Sequence, residues 1–386
     1  MKNRVDQALE DAVSEGVFPA ADLLVAKGGN IVHEACYGNA RDNTCFDIAS
    51  LTKPVATATL AMRLDAEGLL KLDDTIYQWL AGARQPVHKL ITVRMLLNHT
   101  SGLPAWQPYY RSLPMSLVGT EEGRTMLLDE CKHEGTISEP GEKTLYSDVG
   151  YMLLGEIIEQ AGGATLDEQF KEHIATPLGL SDTFFVRLSG AGDMTTGRRT
   201  NTRPDQHVPT PKHGTKGERA ERQAGEHRRF APTEDCPWRE RVIHGQVHDQ
   251  NAFALGGIAG HAGLFSTASD LHRFMLELTN SYRGKSNWIP ESTIQTFLKT
   301  LKEKPEGESY VLGWSVPSRR NSSSGRHFTA NSIGHLGYTG CSMWVDLNKD
   351  FWVILLTNRI HPSSTNEKIK TFRPKIHDLV YDEMLT

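Results

Sequence analysis

The chain of 386 residues is long enough to bury a large core, as two joined lobes or one large domain. A hydrophobic share of 38%, a charged share of 23% and a net charge of -5 are those of an ordinary soluble protein, and they argue against a nucleic-acid partner. No apolar run reaches the length of a membrane span, the N-terminus has no apolar signal core, and the five scattered cysteines (Cys36, Cys45, Cys131, Cys236, Cys341) form no CxxC pair, so reduced thiols and a cytoplasmic location are expected.

Residues 5–13 read as a polar, amphipathic helix. Residues 20–27 (AADLLVAK) read as a strand, Gly28-Gly29-Asn30 as a turn, and residues 31–37 as the returning strand of an antiparallel hairpin. Phe46-Asp47-Ile48-Ala49 leads into Ser50-Leu51-Thr52-Lys53. Beyond it, Leu51, Val55, Ala58 and Met62 recur at the spacing of one buried helical face. Pro54 fits only in the first helical turn, where its missing N–H is not needed. This helix is expected to end near Gly68.

From residue 69 the pattern is mainly helical, without convincing strand alternation. Thr92 caps a helix through Met95, Leu96 and Leu97, stopped by Ser101-Gly102-Leu103-Pro104. A strong helix covers 147–160 and ends at Gly162-Gly163; another covers 166–174, with Pro177 beyond it. The stretch 190–246 is the least regular. It scatters Arg198, Arg199, Arg203, Lys212, Lys216, Arg219, Arg222, Arg228 and Arg229 among Gly, Pro and Thr. No aromatic residues are interleaved, and Glu218, Glu221 and Glu226 dilute the charge, so it reads as a solvated excursion rather than a nucleic-acid arm. A loop of that length is often functional, and it is expected to border an active-site mouth.

Residues 255–265 (LGGIAGHAGLF) are glycine-rich, and Ser269-Asp270 starts a helix through Leu271, Phe274, Met275 and Leu278. Strands are expected at 310–316, 333–338, 341–345 and 351–357, with Asn348-Lys349-Asp350 as the last turn, and a closing helix at 366–385. Strands at both ends and helices between them predict an α+β fold. Its antiparallel sheet, flanked by helices, would come from residues 1–68 and 251–386, with a mainly helical lobe, 69–250, inserted.

Three short stretches can carry chemistry. Ser50 and Lys53 are one helical turn apart, so their side chains point the same way. A hydroxyl beside an amine is a nucleophile with a base to take its proton. At a helix N-terminus, free N–H groups and the helix dipole favour developing negative charge. Taken alone, S-x-x-K also occurs by chance, with Ser50 a cap and Lys53 solvated. Tyr146-Ser147-Asp148 stands at a loop–helix junction, where Tyr146 can present its phenol to a cleft. A nearby ammonium would lower its pKa and make it a general base; the plainer reading is a buried tyrosine with Ser147 or Asp148 as N-cap. His335-Leu336-Gly337 lies in a late strand, where Gly337 lets a ligand approach the backbone. There the N–H of Tyr338 can pair with that of Ser50 as an oxyanion hole, unless the glycines mark only a bend.

In order and approximate placement, these stretches match the three signatures of penicillin-recognising serine hydrolases. With Tyr in the second motif, the chain resembles the class C β-lactamase branch. That branch also holds D-alanyl-D-alanine peptidases, D-amino-acid peptidases and β-lactamase-like esterases. LLNHTSGLP (96–104), PLGL (177–180) and GHAGLFSTASDL (260–271) look alike as well, so the resemblance covers nearly the whole chain apart from the excursion after Gly190. It implies a β-lactamase/transpeptidase-like fold, no cofactor, and a small-molecule ester or amide as the partner; it specifies no oligomeric state. It also implies attack by Ser50, with Lys53 and Tyr146 sharing the base role, and an acyl-enzyme that water releases. The oxyanion would sit between the N–H groups of Ser50 and Tyr338. Asp148 stands where the branch usually has Asn. It is expected to pair with Lys53 and raise its pKa, which moves the base role toward Tyr146. His335 stands where β-lactamases and peptidases usually have Lys, and it is charged only below a pKa near 6.5. The expected function is therefore a carboxylesterase acting on small acyl esters or amides. A β-lactamase, D-alanyl-D-alanine carboxypeptidase or D-aminopeptidase comes second, and a non-catalytic sensor or scaffold is the alternative of another class.

Other groupings are set aside. Cys236, His244, His248 and Asp249 suggest a metal set, but Gly245 opposes a helix and no second Cys is close, so no metal is expected. Residues 256–263 are not a P-loop, because no Gly-Lys-Ser/Thr follows. His261 reads as a structural residue bracing the cleft, and His99 as one fixing the loop before Ser101-Gly102. Trp106, Tyr109 and Tyr110 either line the cleft or cover the helical lobe.

Overall fold

A computed structural model describes residues 3–188, 228–299 and 301–385. The basic residues from Arg198 to Arg222, expected to form a solvated excursion at an active-site mouth, lie outside the described residues.

Among the described residues, the N-terminal strands are β1 (Ala20–Lys27), β2 (Asn30–Gly38) and β3 (Thr44–Asp47). The middle of the chain adds β4 (Phe184–Phe185), β5 (Arg229–Phe230), β6 (Asp235–Cys236), β7 (Arg241–Val242) and β8 (Leu264–Ser266). The C-terminal part gives β9 (Tyr310–Val311), β10 (Trp314–Ser315), β11 (Ser332–Leu336), β12 (Ser342–Asp346) and β13 (Phe351–Thr357). Seven of them form one antiparallel sheet in the order β2-β1-β13-β12-β11-β10-β9. The two ends of the chain meet at β1 and β13, from Ala21 opposite Thr357 to Lys27 opposite Phe351. The α+β prediction holds, with the sheet built from both ends.

The sheet is covered on both faces, which explains why β13 reads as an unbroken apolar run. Leu23 and Val25 of β1, with Phe351, Val353 and Leu355 of β13, pack against Val5, Leu9 and Ala12 of the helix Arg4–Ser14 and Ile376 and Val380 of the helix Ile369–Val380. Leu24 and Ala26, with Trp352, Ile354 and Leu356, join a larger core. That core takes Leu271, Phe274, Met275 and Leu278 from the helix Ala268–Tyr282 and continues into the helix Asp148–Gly162.

Several boundaries differ from expectation. The strand predicted at 310–316 breaks into the hairpin β9–β10, because Leu312 and Gly313 take positive φ of 34° and 101°. β11 ends at Leu336, so Gly337 and Tyr338 belong to the turn into β12. Thr267, not Ser269-Asp270, caps the next helix by accepting the Asp270 N–H. The middle of the chain is not strand-free: β4, β8, β3 and β5 form a second sheet. A helix over Glu121–Lys132, capped by Thr120, was not among the expected elements, although Thr120 and the two glutamates after it are a helix-start signal. No helix among the described residues is long and apolar enough to cross a membrane.

Candidate active site

Ser50 sits in one 3-10 turn, Ala49–Leu51, directly after β3. Ala49 is held at φ 48°, and its N–H is fixed by the Asp47 carboxylate at 2.8 Å. The left-handed conformation of a non-glycine residue is strain that the surroundings must hold. The chain then widens into a π-helical segment, Lys53–Ala58, before the α-helix Thr59–Ala66. The predicted regular helix is thus irregular at the motif, as wide turns at functional sites often are. Pro54 lies in the first turn, as expected.

Lys53 has no exposed surface. Its Nζ donates to Ser50 Oγ at 3.0 Å, Asp148 Oδ1 at 2.6 Å and the His261 carbonyl at 3.0 Å, which uses all three ammonium hydrogens. Burial draws the ammonium below its ordinary pKa against the pull of Asp148. Asp148 pairs with the ammonium and raises its pKa, as expected, but desolvation of the charge outweighs that one carboxylate and the net direction is downward. Asp148 is free for this pairing because Ser147 caps the helix, its hydroxyl accepting the Gly150 N–H at 3.0 Å.

Tyr146 shares a hydrogen bond with Ser50, and its ring lies 4.8 Å from Lys53 Nζ. The predicted fall in its pKa is overturned. Burial, then the Asp148 charge, push the phenol well above its ordinary value. His99 brackets this residue. Its carbonyl accepts the Leu145 N–H at 2.8 Å, its Nδ1 accepts the Ser147 N–H at 3.0 Å, and its ring packs on Tyr146 at 4.4 Å. It does so from a φ of 58°, a reach that fixes the second motif as well as its own loop.

The third motif reaches the nucleophile from β11. His335 is 2% exposed. Its Nδ1 lies 2.9 Å from the Leu336 carbonyl, which can only accept, so the hydrogen is on Nδ1 and Nε2 is an acceptor. Burial and the Lys53 charge push its pKa down to about 3, so the ring is neutral at ordinary pH. At Gly337 a side-chain carbon would lie 2.6 Å from the Ile48 carbonyl, so only glycine lets this turn abut the one before Ser50. Tyr338 is 54% exposed; Arg359 lies 4.6 Å from its ring and His248 5.7 Å.

Ser50, Tyr146, Asp148, His335, Gly337 and Tyr338 all line one cavity of about 900 Å³, with Lys53 beneath its floor. The structure thus brings the expected site residues of the three stretches, and Tyr338 beside them, to one cavity. Trp106 lines the cavity too, whereas Tyr109 and Tyr110 are buried in the core.

Sequence reasoning missed one wall. Asp249 caps the helix Gln250–Ala254 and accepts the His261 Nε2–H at 2.8 Å. Burial opposes its charge, but His261 and the Ala252 N–H hold the carboxyl below the ordinary range. In the sequence Asp249 and His248 stood out only as members of a possible metal set, while His261 was expected to brace the cleft and does line the cavity. Glu234 pairs with His248 at 3.0 Å, which holds its carboxyl at about 2. The suspected metal set is scattered: His244 turns to the Phe230 carbonyl, Cys236 sits in β6, and no group of three metal-ligating side chains occurs among the described residues.

Comparison with known proteins agrees with this geometry. An Escherichia coli (strain K12) protein provisionally named a D-alanyl-D-alanine carboxypeptidase is 30% identical, over 93% of this chain and 82% of its own length. An N-acetylmuramyl-L-alanine amidase from Bacillus subtilis (strain 168) is 30% identical, over 93% and 81%. The penicillin-binding protein homologue from Pyrococcus abyssi shares the fold, with a TM-score of 0.69 at 20% identity, over 99% of this chain and 76% of that one. The profile of the Beta-lactamase family matches residues 5–375. The chain is a serine hydrolase that belongs to the Beta-lactamase family.

Proposed function

We propose that the protein hydrolyses small acyl esters and amides through an acyl-enzyme on Ser50, and that its acyl donors carry no carboxylate beside His335. The observation that carries this is Ser50 Oγ at 3.0 Å from the Nζ of a fully buried lysine. With its pKa lowered, Lys53 can lose a proton and take that of Ser50 as Oγ attacks the carbonyl carbon. Asp148 then stabilises the ammonium. The N–H groups of Ser50 and Tyr338 hold the oxyanion, each worth about 3 kcal/mol. The Tyr146 phenol protonates the leaving oxygen or nitrogen and recovers its proton from Lys53. Water releases the acyl group by the same path in reverse. A neutral His335 supplies no fixed charge for a substrate carboxylate, which argues against penicillins and D-alanyl-D-alanine ends.

Covalent labelling tests this reading. A fluorophosphonate should label the wild type and not Ser50→Ala, and a fluorescent penicillin should label neither. Folded wild type that resists the phosphonate would sink the acyl-enzyme reading; penicillin labelling would move the substrate to the penicillin-recognising class.

A second reading has one observation in its favour. The cavity of about 900 Å³ is larger than a small ester needs, and two relatives are named as a D-alanyl-D-alanine carboxypeptidase and an N-acetylmuramyl-L-alanine amidase. An amide with a bulky acyl side would fill it. Release of L-alanine from N-acetylmuramyl-L-alanine, absent in Ser50→Ala, is the check.

A further inference from the structure

The turn between β11 and β12 is gripped from two sides. On the inner side Gly337 abuts the Ile48 carbonyl, and the Thr339 hydroxyl donates to the Asp47 carbonyl at 2.8 Å. On the outer side stand two buried arginines, Arg359 and Arg373. Arg359, just after β13, donates from Nε to the Tyr338 carbonyl at 2.8 Å, and its own backbone N–H meets the Thr339 carbonyl at 3.0 Å. Arg373 donates from Nη2 to the Gly340 carbonyl at 2.9 Å. Arg359 is itself anchored, because its Nη1 donates to the Ser364 and Asn366 carbonyls at 2.9 and 2.6 Å.

This clamp bears on the direction of one N–H. The Gly337 carbonyl accepts the Gly340 N–H at 2.9 Å. In a planar trans peptide the N–H of Tyr338 then points the opposite way. That N–H has no acceptor among the described residues. Gly340 is held in place by fit. At its φ of 100° a side-chain carbon would lie 2.6 Å from Arg359 Cγ. Among the described residues Arg359 Nε is also the one hydrogen-bond partner of Tyr338, and Arg359 itself forms no ion pair. Glu234, bonded to Ser364, pairs with His248 at 3.0 Å, and Glu367 pairs with Lys370 at 2.5 Å.

We propose that Arg359 is the positioning residue of the oxyanion hole. By holding the Tyr338 carbonyl and Gly340 from outside the turn, it keeps the Tyr338 N–H directed at Ser50, and its charge adds to the field on the oxygen that becomes negative there. The role rests on the acyl-enzyme reading. As Ser50 Oγ bonds to the substrate carbon, its proton passes to Lys53 and the carbonyl π pair moves onto that oxygen. A donor fixed beforehand stabilises the charge without reorganising. Without the clamp, Gly337 lets its peptide turn over, since glycine takes either sign of φ at little cost. An Arg359 that braced only the segment 364–366 would leave the N–H in place and kcat unchanged.

The test uses the full chain, a neutral aryl ester, and phenylboronic acid, whose adduct with Ser50 carries a negative oxygen. Arg359→Ala should lose about 100-fold in kcat, the size of effect that follows loss of one oxyanion donor, with KM within about 3-fold. Boronate affinity should fall in step with kcat/KM. Methylguanidinium should restore kcat in Arg359→Ala with saturation, and sodium chloride at equal ionic strength should not. Arg359→Lys, which keeps the charge and loses the fork, should fall between wild type and Arg359→Ala. A kcat of Arg359→Ala within about 3-fold of wild type would overturn the role. So would a loss confined to KM, a boronate affinity that does not move with kcat/KM, or no rescue of the folded variant. Should Arg359→Ala not fold, Arg359→Lys and Arg359→Gln carry the same comparison of kcat, KM and boronate affinity. Fluorophosphonate labelling separates the two readings. Wild type left unlabelled sinks the acyl-enzyme; wild type and folded Arg359→Ala labelled at equal rates sink the role of Arg359 alone.

Discussion

Lys53 is pulled in two directions, and burial wins. Its neutral form grows as pH rises, so kcat/KM on a neutral ester should climb through a limb below the ordinary lysine value near 10.4. Lys53→Arg, which cannot lose its proton, should abolish that limb and lower kcat/KM by about 10³-fold. An unchanged limb in the arginine variant would assign the base elsewhere. At this scale the sequence was informative about which residues assemble and misleading about their acidity. Ser50 and Lys53 were legible because i, i+3 spacing encodes proximity on a helical turn, whereas Tyr146 and Asp148 joined them only through the resemblance to a known family. The pKa directions of Lys53 and Tyr146 were not legible. They depend on how completely Lys53 is enclosed by Ser50, Asp148 and the His261 carbonyl, and that enclosure comes from three distant segments.

Elements matter here mainly for what they hold still. The loop from α-helix Val93–Leu97 to Pro104 carries His99, whose carbonyl and Nδ1 grip the backbone on both sides of Tyr146. His99→Asn keeps a side-chain acceptor and tolerates the positive φ, so kcat should stay within about 5-fold of wild type. His99→Phe fills the space without accepting, and kcat should fall about 50-fold with little change in KM. Similar losses in both variants would show that the ring's bulk, not its acceptor, is what counts. The turn after β11 makes a second contact of this kind. Gly337→Ala would force the Ile48 carbonyl away from the Ser50 turn, with a cost of about 1–3 kcal/mol in unfolding free energy and a larger loss in kcat/KM. Calorimetry and ester hydrolysis together would check it. The helices Asp148–Gly162 and Ala268–Tyr282 and the β1–β2 hairpin were readable from period and caps, whereas the helix Glu121–Lys132 was not among the expected elements. The strands β4, β5 and β8 were not, because two or three residues are too few to show alternation, and their pairing is long-range.

Across the whole molecule, the sheet that joins both chain ends is also a source of pH sensitivity. Asp22 lies in β1 and is buried, and burial, with Glu34 and Asp42 adding to it, raises its pKa to about 7. Unfolded, the same carboxyl titrates near 3.9. The folded chain therefore holds this proton more tightly, and that contribution to stability is full below pH 4 and lost as pH rises toward 7. Asp22→Asn should stabilise the protein at pH 8 by up to about 4 kcal/mol, with the advantage shrinking as pH falls to 4. Thermal melts of both proteins across that range would show it; a gap independent of pH would mean that Asp22 titrates normally.

The complete enclosure of Lys53 also has a practical consequence. Every amine-acylating reagent must wait for the cavity floor to open before it can reach this ε-amino group, while the surface lysines react at once. The rate at which Lys53 becomes modified, followed by peptide mass spectrometry, is thus a built-in clock for the opening of the cavity floor beside Ser50. Substrate analogues that settle over Ser50 should slow that clock without touching the lysine.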